Sequence, residues 1–334
     1  MPEQSETPDF LVLGGGGGVP FLLESVLRGH PETRMAAVVN ATDSGGHSGA
    51  IRRTYSGTAP PGDAVKSIGA TAGNAEFSLV VMKSRVNGNE SFGNNQFLRH
   101  YQAALVAGET DPNQAALDGL AAEAASVAPV MFATRPASLT LSLFSHQIAA
   151  HESAVADFTI YPDLLPNMDF AVVDENGESA AYKERPGRFI TNAANVILAP
   201  SHPFNSLLPT TWGVQHFSEE VQQEISQKTT MVIGTENPWN TPGITVADQY
   251  DAISRTSGIS PARIAIGANS EVPLGDLPDG VEVISIDLPL HDRPVEPGNP
   301  LNDHKPNKVY DQQFGAELAS HLGGIGNKAL VSVR

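Results

Sequence analysis

The sequence predicts an α/β protein built on a doubly wound, mostly parallel sheet. Three observations carry that expectation. Apolar runs at 10–13, 35–42, 129–134, 196–199, 230–234, 264–268 and 281–286 are short and largely continuous, as in strands buried on both faces. Segments with helical spacing alternate with many of them. The first run feeds an unbroken Gly14–Gly18, then a helical pattern, then the second run. Strand, glycine loop, helix and strand in that order place the loops at the carboxyl edge of a parallel sheet, where ligands bind.

Taken in order, Pro20 suits a first helical turn, and Gly29 is expected to end that helix. Pro60-Pro61-Gly62-Asp63 reads as a turn, with Asp63 as a cap for a helix over 64–72. The run at 77–83 fits strand or helix. Phe97, Leu98, Tyr101 and Leu105 mark a helix stripe, and 113–127 is a further helix rich in alanine. Leu139, Leu141 and Leu143 alternate with Ser138, Thr140 and Ser142, as in a half-buried strand over 138–146. A small inserted β-containing subdomain is expected around 152–190, with a hairpin turning at Glu175-Asn176-Gly177. Helices over 218–227, 245–253 and 314–322 complete the pattern, the second capped by Thr245. The stretch 288–308 is rich in proline and long for a plain connection. Residues 1–8 are expected to be a disordered start, and 9–334 a single α/β domain.

Composition narrows the function classes. Of 334 residues, 40% are hydrophobic, enough for a sizeable core. The formal net charge of −17 argues against nucleic-acid or anionic-membrane partners. No cysteine is present, which removes disulfides, thiolate catalysis and cysteine-bound zinc. No apolar run is long enough to span a bilayer, and the acidic opening carries no signal-peptide pattern, so a cytoplasmic location is expected.

The chemistry concentrates at 40–69, NATDSGGHSGAIRRTYSGTAPPGDAVKSIG. Its glycines let backbone approach a ligand, and its acids and bases can hold an anion with or without a divalent metal. Singly, each residue has a plainer role: Asp43 as a turn-forming residue, Asp63 as a cap, Arg52 and Arg53 as a solvated pair, His47 as a surface histidine. Beside a second glycine loop at 14–18, they read together as a phosphate-binding site. That first loop fits neither the dinucleotide fingerprint nor a Walker A loop. His202, in the loop PSHPFNS after the strand at 196–199, could bind a ligand, but a structural role is the expected one.

These motifs resemble the YvcK/CofD-like superfamily, and within it the YvcK-type gluconeogenesis factors of the UPF0052 group. LVLGGGGGVPFLLESVL is similar to the family's strand and glycine loop, NATDSGGHSGAIRR to its ADDGGSSGRLR motif, and APPGDAVKSIGA to PPPGDIRN. SFGNNQFLRHYQAAL, ANVILAPSHPFNSLLPT and TTMVIGTENPWNTPGITVADQYDAI resemble further family segments in the same order. Ser44 stands where the family pattern has a second aspartate, His47 where it has a serine, and Gly17 where it has a threonine.

The resemblance implies a Rossmann-like fold and a nucleotide-diphosphate-sugar ligand, UDP-N-acetylglucosamine in particular, bound by a regulatory protein of carbon metabolism and cell shape. On that view Gly14, Gly15, Gly16, Gly17, Gly45, Gly46 and Gly49 face the diphosphate with Ser44 and Ser48. Arg52 neutralises charge, Asp43 accepts a ribose or sugar hydroxyl, and Asp63, Asn94 and Ser201 complete the rim. No cofactor is required. The alternative is a transferase resembling 2-phospho-L-lactate transferase, which serves deazaflavin coenzyme synthesis. There Asp43 and Asp63 would hold Mg²⁺, Arg52 would meet the transferred phosphate, and His47 would carry a proton. A third reading is an assembly protein that has lost its ligand. Whether the chain is an enzyme stays open at this point, and a homo-oligomer is compatible with every reading.

Overall fold

The computed structural model describes residues 7–74, 76–77, 84–86, 90–292 and 308–323. Most of the expected disordered start, most of the ambiguous run at 77–83 and the centre of the proline-rich stretch lie outside the described residues.

Seven parallel strands form the central sheet: β1 (Phe10–Gly14), β2 (Met35–Val39), β5 (Val130–Phe132), β9 (Asn195–Leu198), β10 (Thr229–Val232), β11 (Arg263–Gly267) and β12 (Glu282–Ile286). Their order is β12-β11-β10-β9-β1-β2-β5. The intervening numbers belong to two short hairpin strands, β3 (Arg85–Val86) and β4 (Glu90–Ser91), and to a separate three-stranded sheet. That sheet pairs β6 (Ala137–Leu143) with β7 (His146–Ala149) and β8 (Met168–Asp174), all antiparallel.

The doubly wound parallel fold follows from strand composition. Within β1, Phe10 and Val12 face one layer of helices and Leu11 and Leu13 the other, and all four are buried. Strands covered on both faces have no polar positions to alternate, which is why they read as continuous apolar runs. One face carries α1 (Gly18–Gly29), α3 (Gly62–Ala70), α4 (Phe92–Ala107), α5 (Pro112–Glu123) and, near the chain's end, α11 (Phe314–Gly323). The other carries α7 (Glu184–Asn192), α9 (Glu219–Gln227) and α10 (Val246–Ser257). Between these in chain order are the short α2 (Gly46–Thr54), α6 (Glu152–Asp157) and α8 (Leu208–Thr211). The small sheet has its own core, Leu139, Leu141, Phe170 and Val172 packed on Phe204, Leu208 and Trp212.

Several local expectations are corrected. Gly29 does not end α1 through a left-handed turn; the helix is capped at His30. A Cβ at Gly29 would lie 2.4 Å from that of Ala316, so the glycine is there to let α11 approach. Leu105 is 52% exposed and leaves the stripe, while Phe97 and Tyr101 are buried. The small sheet starts at Ala137, ahead of the expected block, and only β8 and the short helices around it fall inside 152–190. The turn at 175–177 forms as expected: Gly177 takes φ 79°, and the Asp174 carboxylate accepts from the Asn176 and Glu178 amides. Thr245 and Asp248 form a reciprocal capping box on α10.

Candidate functional site

The chain runs β1, β2, β5 in one direction and β9 to β12 in the other, so winding reverses between β1 and β9. A crevice opens at the carboxyl ends of the strands at such a point. The loops at 14–17, 40–45 and 199–206 meet there.

The first wall is the glycine loop. Ser201 Oγ donates to Gly15 O at 2.8 Å, and a Cβ at Gly18 would lie 2.5 Å from Pro200 O. Gly14 sits at φ 150° and Gly16 at φ 63°, values that favour glycine. The Gly14 carbonyl accepts from the Asn40 amide and from Thr210 Oγ1. A Cβ at Gly16, Gly17 or Gly46 would meet nothing within 4 Å, so these three lie against open space. Gly17 and Gly45 begin α1 and α2, whose first N–H groups carry partial positive charge. Ser201 therefore fastens the loop to β9.

The second wall is acidic. Asp43 Oδ1 accepts from Gly45 N at 2.9 Å, the turn expected of it, and its carboxylate also bonds the Ser48 hydroxyl. Ser48 Oγ in turn accepts from Gly62 N at 3.2 Å, joining α2 to α3. Asp63 does not cap its helix. It lies inside the first turn, the cap position is Pro61, and no side-chain cap bond forms. The helix starts two residues earlier than expected, right after the two prolines, and the Asp63 carboxylate lies beside the glycine loop. A Cβ at Gly15 would lie 2.6 Å from Asp63 Oδ2, and Lys66 Nζ is 3.3 Å from Asp63 Oδ1.

A third carboxylate comes from the small sheet. Glu152 opens α6 and accepts from Ser44 N at 3.4 Å. Ser44 Oγ accepts from Ser153 N at 2.9 Å and lies 3.2 Å from Ser153 Oγ. Ser44 thus ties the small sheet to the end of β2. Burial, then the charge of Asp43, pushes the Glu152 carboxyl up to about 8. Burial, then Asp63, pushes Asp43 up as well. Among the described residues no three histidine, aspartate or glutamate side chains are grouped to hold a metal ion; the magnesium of the transferase alternative would rest on the Asp43 and Asp63 pair together with the ligand's own phosphates.

Arg52 has another task than the one expected. Its guanidinium donates to Thr42 O at 2.8 Å, Asp43 O at 3.1 Å and Ala137 O at 2.8 Å. It ties the acidic loop to β6. His47 Nδ1 accepts from Ser91 N at 2.9 Å, and Ser91 Oγ caps α4 at Asn94 N. Asn94 is buried in that first turn. A Cβ at Gly49 would lie 1.9 Å from Ser44 O, so this glycine is required by packing inside the site. His202 is structural: Nδ1 accepts from the Phe204 and Asn205 amides and Nε2 bonds Asn240 Oδ1, while burial holds it down to about 4. Asn205 Oδ1 is fully buried with no partner among the described residues, although the Asn205 carbonyl accepts from Asn40 Nδ2 at 3.0 Å.

The family model described as 2-phospho-L-lactate transferase CofD matches residues 10–286. The chain belongs to the CofD family. The curated relatives it resembles carry another name. A protein named "Putative gluconeogenesis factor" from Lactococcus lactis is 26% identical over 205 residues, 60% of each chain. One of the same name from Nostoc is 24% identical over 257 residues, 75% of this chain and 52% of that protein. The chain thus spans 52–60% of the length of these relatives. A UPF0052 family structure from Bacillus halodurans superposes with TM-score 0.70 at 16% identity, covering 93% of this chain and 99% of that one, which shows the shared fold.

The sequence did not reveal Glu152 or Asn205. Glu152 lies 108 residues from the main chain it binds, in a block expected to be an insertion.

Proposed function

We propose that this CofD-family chain binds a nucleotide-diphosphate sugar of the UDP-N-acetylglucosamine kind and serves a regulatory rather than catalytic role. The observation that carries the reading is the pairing of two helix N-termini, with open glycines at Gly16, Gly17 and Gly46, and an acidic wall across the same crevice. The glycine wall offers N–H donors to a diphosphate. The acidic wall offers acceptors to hydroxyls, which donate to carboxylates. A ligand carrying both groups complements both walls. The gluconeogenesis-factor names of the relatives support the regulatory side.

The transferase reading keeps one support, the name of the matching family model. Titration calorimetry with UDP-N-acetylglucosamine, UDP-glucose, GDP and NADP, each with and without Mg²⁺, separates the two. Uridine-selective binding without turnover and without a magnesium requirement is expected. Guanosine-selective, magnesium-dependent binding would overturn the reading in favour of the transferase. Silence across the panel would remove nucleotides altogether.

A further inference from the structure

We propose that Glu152 reads a hydroxyl of the ligand's sugar or ribose, so that the small antiparallel sheet, rather than the glycine loops, sets hydroxyl selectivity in the crevice. The inference rests on the nucleotide-diphosphate-sugar reading and deepens it.

The argument starts from how the carboxylate is held. Ser44 fixes the start of α6 through Ser153, and one Glu152 oxygen accepts from Ser44 N–H. The other oxygen has no hydrogen bond to a described residue, and the residue is only partly covered. Glu152 is thus clamped at one oxygen and open at the other. Its acidic neighbours decide what the open oxygen can take. Asp43 and Asp63 act on Glu152 through their charge, so a phosphate placed there would meet carboxylates. Arg52, the adjacent strong base, is committed to three main-chain carbonyls. A hydroxyl carries no charge and donates to a carboxylate.

A second observation is independent of the acids. Asn205 Oδ1, at the β9 end of the crevice, is a fully buried acceptor with no described partner. Buried polar atoms left in this state are uncommon, and a donor such as a bound water or a ligand group would complete this one. Asn94, 4% exposed, has no side-chain hydrogen bond among the described residues. The crevice therefore presents unfilled hydrogen-bonding capacity suited to a polyol. Burial raises the Glu152 carboxyl, and its open oxygen can bond a hydroxyl in either protonation state, accepting when ionised and donating when protonated.

The test titrates the full chain, Glu152→Ala and Glu152→Gln with UDP-N-acetylglucosamine, UDP and 2′-deoxy-UDP by calorimetry. UDP binding serves as the folding control. Glu152→Ala should lower the preference for UDP-N-acetylglucosamine over UDP at least tenfold, with UDP affinity unchanged or raised by loss of an acid, and Glu152→Gln should keep most of the preference. If the ratio of UDP to 2′-deoxy-UDP falls instead, the hydroxyl is the ribose's and the proposal stands. The same loss for all three ligands, or no loss for any, overturns it. A wild-type chain that binds none of them fails the nucleotide reading itself, an outcome distinct from failure at Glu152.

Discussion

The two walls of the crevice are built in opposite ways. The Gly14–Gly18 wall has no charged side chain; it is shaped by close backbone approach and pinned by the Ser201 hydroxyl. The acidic wall gathers Asp43, Asp63 and Glu152 from three elements and is buttressed by a guanidinium. One wall is specified locally by a run of glycines. The other exists only once distant segments have come together. Substitutions should therefore act on the first through sterics and on the second through charge and long-range contacts.

The largest expected effect breaks the acidic wall sterically. Gly49→Ala puts a Cβ where Ser44 O stands, and overpacking of this kind costs about 3 kcal/mol. Chemical denaturation should show that loss; a midpoint unchanged from wild type would mean that the Ser44 loop yields freely. Next comes Arg52→Met, which leaves three carbonyls without their donor. A cost of about 2 kcal/mol is expected. Ligand affinity in a still-folded fraction should fall less than stability, and the opposite ranking would return Arg52 to the ligand.

A pH titration sharpens the comparison. Glu152 is raised in the folded state, so between its unfolded value near 4.5 and about 8 the native chain holds the extra proton. The unfolded state then binds fewer protons, and stability falls as pH rises through that window, levelling above about 8. Glu152→Gln should flatten the decline and be the more stable chain at pH 8.5. Parallel wild-type and variant curves would show that the carboxyl titrates normally. The smallest effect is on the glycine wall: Ser201→Ala loses one hydroxyl bond to Gly15 O, worth about 1 kcal/mol. A melting temperature indistinguishable from wild type would show the loop held by backbone packing alone.

This contrast also explains what could be read in advance. Phe10 to Leu13, the glycine run and the capped helix from Thr245 announce themselves because neighbouring residues carry the whole signal. The central sheet was legible for that reason. Asp43 and the open glycines were legible as neighbours at one crevice, but the contacts of Arg52 and Asp63 were not. Arg52 turns on acceptors at 42, 43 and 137, and Asp63 on where a helix begins relative to two prolines. Glu152 had no local signature, since a glutamate in the first turn of a short helix is an ordinary sight. Gly29 misled for a similar reason: the residue that requires its missing side chain, Ala316, is 287 positions away.

That last contact has a consequence for the order in which the protein comes to exist. α1 follows the first strand, yet part of its outer surface is covered by α11: Gly29 against Ala316, Ser25 Oγ accepting from Gly315 N, Phe21 near Phe314. During synthesis the amino-terminal half can form β1, α1 and β2 but must wait some three hundred residues to shield that surface. Contacts of such sequence separation slow folding, and the exposed helix is a natural place for a chaperone to hold the nascent chain.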